Sequence, residues 1–195
     1  MTGPRVAART SAALALFLAL SGCSGGETPP RATTSSSAAA PTTTTAPPPT
    51  REELAEEAAT TAFSEFLRVT DAASQDPGLR DWEPEIRQYA GDPAAYLAVQ
   101  AARDYAVLGL RQVGDSQVDV EVMSVGLAAP EGPTVAMTGC YDSQSTQLVK
   151  ADSGEVVPPG TPPRYVWDIT VIQYLSEPGE PWLVSTLEPR TDQPC

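Results

Sequence analysis

The chain has no histidine and a single lysine, Lys150. Without histidine it lacks the commonest general base near neutral pH and the commonest transition-metal ligand. Histidine-dependent hydrolase triads and histidine-ligated zinc sites are therefore excluded. Long apolar runs are missing too. The most apolar stretch, Ser11 to Leu20, has ten residues, against the roughly 20 that a membrane-spanning helix requires. No glycine-rich phosphate loop, nucleophile elbow or calcium loop occurs. No metal and no cofactor is expected. Basic residues are scarce, 12 against 25 acids, for a net charge of −13. That excess repels nucleic acid and anionic lipid headgroups, so no nucleic-acid partner is expected. Solubility is the simplest use of the acidity, attraction of a cationic partner the other.

What is present begins with an export signal. Met1 to Arg9 carries Arg5 and Arg9 and no acid, and the short apolar run follows directly. It ends Leu20-Ser21-Gly22-Cys23, which resembles the lipobox of bacterial lipoproteins. The resemblance implies removal of residues 1–22 and attachment of diacylglycerol to the Cys23 thiol. Two or three acyl chains on one residue anchor a protein durably, whereas one is marginal. Loss of Arg5 and Arg9 with the leader would leave ten basic residues against the same 25 acids. The single lysine, beside many Ala, Pro and Thr, hints at a high-GC source such as an actinobacterium. The implied location is the outer face of the cell membrane.

Residues 23–50 read as a lipidated cysteine and a tether. From Thr28 to Thr50, 22 of 23 residues are Pro, Thr, Ser or Ala, with no apolar period. Six prolines favour extended geometry, giving a reach of roughly 30 to 80 Å between coil and extended limits. Eleven hydroxyls beside prolines also resemble an O-glycosylated stalk.

Residues 51–195 suffice for one domain with one core. Thr50 and Glu53 form a capping-box pattern ahead of a helix over 51–73, with Leu54, Ala58, Ala62, Phe66 and Val69 on its apolar face and Phe63 at the edge. A short helix is expected around Glu85–Tyr89. A third starts at Asp92-Pro93, read as N-cap and first helical position. It runs to Leu108 with Leu97, Ala101, Tyr105 and Leu108 on one side. After Gly109 the period becomes alternating. Strands are expected at Val118–Val122, Thr134–Tyr141, Thr146–Lys150, Tyr165–Tyr174 and Trp182–Leu187, with a proline-rich loop over Val156–Pro163. Helices first and antiparallel strands afterwards is an α+β order.

This order, with stretches such as Ala62-Phe63-Ser64-Glu65-Phe66-Leu67, Arg164-Tyr165-Val166-Trp167 and Pro181-Trp182-Leu183-Val184, resembles the NTF2-like fold, also called SnoaL-like or cystatin-like. The resemblance implies three helices packed on a curved antiparallel sheet, a cone with a pocket. The chain also resembles small actinobacterial lipoproteins that end in a cysteine.

With Cys23 lipidated, Cys140 and Cys195 remain. In an oxidising compartment two leftover cysteines are free thiols or a bridge, and the bridge is the expectation. Closing that loop is worth about 4 kcal/mol in the chain-entropy model, less strain.

For chemistry, the resemblance directs attention to carboxylates and tyrosines in the cone: Asp168 as a candidate base, with Tyr141, Tyr174 and Tyr105. A buried Asp168 could take a proton at raised pKa. The plainer reading pairs it with an arginine such as Arg103 or Arg111, or leaves it in solvent. The tyrosines, Trp82, Trp167 and Trp182 are more simply core or rim. The leading expectation is a non-enzymatic binding or accessory module at the cell envelope, membrane-held through lipid, taking an envelope protein or a small apolar ligand. The alternatives are an NTF2-like enzyme using Asp168 and a phage or prophage surface lipoprotein that excludes superinfection.

Overall fold

Thr50 and Glu53 start the first helix by exchanging hydrogen bonds. The Glu53 amide donates to Thr50 Oγ1 at 3.1 Å and the Thr50 amide donates to Glu53 Oε2 at 2.7 Å, satisfying two orphan donors at once. The computed structural model describes residues 47–195. The expected leader 1–22, the lipidation at Cys23 and the tether as far as residue 46 lie outside the described residues. Residues 47–50 are exposed and belong to no helix or strand.

Among the described residues three helices come first: α1 (Arg51–Gln75), α2 (Glu83–Ile86) and α3 (Ala94–Leu108). Seven strands follow: β1 (Leu110–Val113), β2 (Gln117–Gly126), β3 (Thr134–Asp142), β4 (Gln147–Lys150), β5 (Val156–Val157), β6 (Arg164–Gln173) and β7 (Trp182–Arg190). The α+β class and the element order are as the sequence implies. The strands divide into two sheets, a four-stranded one ordered β2-β3-β6-β7 and a three-stranded one ordered β1-β4-β5, all pairs antiparallel. Helix α1 touches β1 of the small sheet and β2, β3, β6 and β7 of the large one. Two bulges bend the large sheet, at Val122/Ser124 in β2 and opposite Thr170/Val171 in β7. Helices held in the hollow of a curved sheet are the NTF2-like arrangement.

Strands β1 and β5 are additions to the reading from sequence. Four and two residues are too short to show an alternation, and both exist because β4 lies between them as a partner. Gly114 makes the turn from β1 to β2 possible. Its φ is +87°, and a Cβ there would collide with the Ser145 carbonyl.

The core joins Phe63, Phe66 and Val69 of α1 to Ile86, Val135, Met137, Ile169, Val171 and Val184. On α1 the buried face is Ala55, Ala59, Ala62, Phe63, Phe66, Val69 and Ala73. Leu54 is half-exposed and Ala58 only partly covered, so the face is rotated from the expected one and Phe63 moves from edge to centre. Helix α3 departs further. Leu97 and Leu108 are exposed, while Ala94, Ala95, Val99 and Ala102 are buried. Its small residues join the core, where α3 meets α1, α2, β1 and β7. Nor does Asp92 cap α3. Pro93 occupies the cap position without a side-chain bond, and the Asp92 carboxylate accepts from Arg87 Nη1 at 3.2 Å.

The Cys140–Cys195 disulfide is formed, with Cα atoms 5.8 Å apart. The Val166 amide donates to the Gln193 carbonyl at 3.0 Å, so the tail is pinned twice against the large sheet.

A candidate binding pocket

Alternation along β6 decides where its side chains go. Tyr165, Trp167, Ile169 and Val171 face the helices, and Asp168 faces the opposite way. Asp168 is half-exposed, and its Oδ2 accepts from Arg190 Nη1 at 2.8 Å. Arg190 lies on β7, where the register sets its neighbour Glu188 directly across from Asp168. Neither arginine suggested by the sequence is involved: Arg103 is bound to Glu83 at 2.8 Å. Asp168 thus lies on the convex face in an ion pair, and the buried, proton-accepting carboxylate required of it is not there.

The three candidate tyrosines separate as well. Tyr174 leaves the end of β6 and packs its hydroxyl against Gly91, where an added Cβ would force the tyrosine to shift. Tyr105 and Tyr141 come together at the other end, in the wall of a pocket of about 460 Å³. Helix α3 supplies Tyr105, β1 supplies Gln112, β3 supplies Tyr141, and the loops after β3 and β5 close the sides. Tyr141 stacks on Trp167 with ring centroids 4.4 Å apart and meets Tyr165 at 5.2 Å. Burial pushes the hydroxyls of both Tyr105 and Tyr141 above the ordinary tyrosine pKa.

The carboxylate at this end is Asp71, on α1, which the sequence reading passed over. Its Oδ1 accepts from Gln112 Nε2 at 2.9 Å and from Ser116 Oγ at 2.9 Å, and its Oδ2 accepts from the Ser116 amide at 2.8 Å. Ser116 Oγ lies 3.2 Å from the Tyr141 hydroxyl. Asp71 therefore fixes the β1–β2 turn and, through Ser116, orients Tyr141. A sequence signal did exist, a lone acid on the last turns of a helix four of whose other five acids crowd its start. Its partners, however, lie 41 and 45 residues away.

None of the residues lining the pocket is Asp, Glu, Lys or Arg. Among the described residues no cluster of three or more Cys, Asp or Glu has metal-binding geometry. Asp142-Ser143 makes a turn in which Asp142 Oδ1 accepts from the Gln144 amide at 2.8 Å.

No protein-family model matches the chain, and no curated protein matches it. Among solved structures, the intermembrane space region of chloroplast protein ARC6 is similar over 73% of this chain and 98% of its own, at 15% identity and a TM-score of 0.43. The VirB8 protein of Agrobacterium tumefaciens is similar over 77% of this chain and 99% of its own, at 13% identity and a TM-score of 0.34.

Proposed function

We propose that this chain is a non-enzymatic binding module, held by lipid on Cys23 at the extracytoplasmic face of a cell membrane. The observation that carries binding is the open pocket between α3 and the two sheets, which falls in the size range of small-molecule sites. A non-enzymatic role accords with the carboxylates: Asp168 is half-exposed beside Arg190, and both Asp71 oxygens are occupied. The Cys140–Cys195 bridge suits an oxidising compartment. No helix among the described residues is long and apolar enough to cross a membrane. The small apolar ligand expected from sequence fits less well than a mixed one, because amides and hydroxyls share the lining with tyrosine and proline rings.

Cys23→Ala tests the anchor. The variant should lose metabolic labelling by a clickable fatty acid and leave the detergent phase, accumulating as precursor or soluble protein. Undiminished labelling would refute lipidation at this residue.

A further inference from the structure

We infer that the pocket takes a neutral polyhydroxylated ring, a carbohydrate; this rests on the binding reading above and specifies its ligand. The reason is where the protons of the wall go. A carboxylate only accepts, so the group Asp71 meets on Gln112 must be Nε2, and that nitrogen also donates to the Gly114 carbonyl at 3.0 Å. Gln112 thus keeps only its carbonyl oxygen free. Ser116 has one hydroxyl proton and gives it to Asp71. The Tyr141 hydroxyl must then donate to Ser116, leaving Tyr141 Oη as an acceptor. Ser143 Oγ donates to the Pro163 carbonyl at 3.1 Å, and Thr146 Oγ1 donates to the Ser143 carbonyl at 3.0 Å. Four lining side chains have therefore turned their protons inward and offer oxygen lone pairs.

A ligand that satisfies those lone pairs must bring hydrogen-bond donors. It must also be uncharged. No cation lines the pocket, so a carboxylate or phosphate would be desolvated without compensation, and an ammonium, which has no free carboxylate there to neutralise it, gathers its donors at one atom while the acceptors are spread along the wall. The rings of Tyr105 and Tyr141 and the prolines of the loop supply apolar area beside the polar wall. A sugar ring combines these properties: many hydroxyl donors, no charge and apolar C–H faces. A purely apolar ligand would leave the acceptors dry and unpaired.

The test titrates the full-length chain with N-acetylglucosamine and its β-1,4-linked dimer, with glucosamine and glucuronate as charged counterparts and Nile red as an apolar probe. Calorimetry and the fluorescence of Trp167, stacked behind Tyr141, report binding. The neutral sugars should bind saturably, and the charged ones at least tenfold more weakly. Tyr141→Phe removes one acceptor and should weaken the neutral sugars about five- to tenfold, the worth of one net hydrogen bond. Thr161→Trp, on the exposed loop, should fill the pocket and abolish binding with the melting temperature unchanged. Tighter binding of glucosamine or glucuronate, or sugar affinity indifferent to Tyr141→Phe, would overturn the inference. If Nile red binds saturably, Thr161→Trp blocks it and the sugars do not bind, the carbohydrate assignment fails while the binding module stands. If no probe binds, both fail.

Discussion

The convex face of the large sheet and the hollow end of the domain each contain a carboxylate in a polar setting, and the two settings differ in kind. On the convex face, Asp168 and Arg190 form one ion pair, about half open to water on each side. At the hollow end, Asp71 receives three hydrogen bonds from two residues and passes the effect on to Tyr141. Water screens the first, and the second is partly shielded from it. A carboxylate's role follows from how many donors converge on it and what lies behind them. The strand that carries it, however prominent in the sequence, does not decide the matter.

Substitutions can break that contrast or sharpen it. Phe66→Ala, under the hollow end, should have the largest effect. Phe66 is 3% exposed in the centre of the core, and its truncation should cost about 3 to 5 kcal/mol in denaturant unfolding. A cost below about 1 kcal/mol would mean that α1 does not fill the hollow.

Cys195→Ser acts on the convex side, where the tail is attached. It should lower stability by about 2 to 4 kcal/mol and leave far-UV dichroism unchanged. Recovery of Cys140 and Cys195 as free thiols in peptide maps of exported protein would show the bridge absent.

Asp71→Ala should follow, at about 1 to 3 kcal/mol, because it strands the Ser116 amide and the Gln112 amide in a partly buried site. The same variant should free Ser116 from its role in orienting Tyr141, visible as altered near-UV dichroism. Asp168→Ala should do least, under about 1 kcal/mol and less again in high salt, as for an exposed pair. The contrast stands if the Asp71 variant costs more than the Asp168 variant, and it collapses if the order reverses.

Legibility from sequence followed the range of the interactions. The capping box at Thr50 was legible because its partners are three residues apart. The long strands were legible where apolar and polar residues alternate, as at Val118, Val120 and Val122, whereas the ends of β2 and β7, which run on to Gly126 and Arg190, were not. The buried face of α1 was only half legible. Leu54 and Phe66 drew attention by size, yet the face that packs runs through Ala55, Ala59, Ala62, Phe63, Phe66, Val69 and Ala73, four of them alanines. On α3 the same preference for large side chains pointed to Leu97 and Leu108, which are exposed. Alanines give little hydrophobic signal but allow close helix packing, and no one-dimensional pattern distinguishes a packed alanine from a solvated one.

By itself, then, the sequence determined the α+β order, the main strands, the absence of histidine chemistry and the parity that leaves Cys140 and Cys195 to each other. Those follow from composition and from contacts between near neighbours in the chain. Tertiary structure alone decided which carboxylate matters and what the pocket asks of a ligand. Asp71, Gln112, Ser116 and Tyr141 meet across separations of 25 to 45 residues, and only their convergence determines which way each proton points.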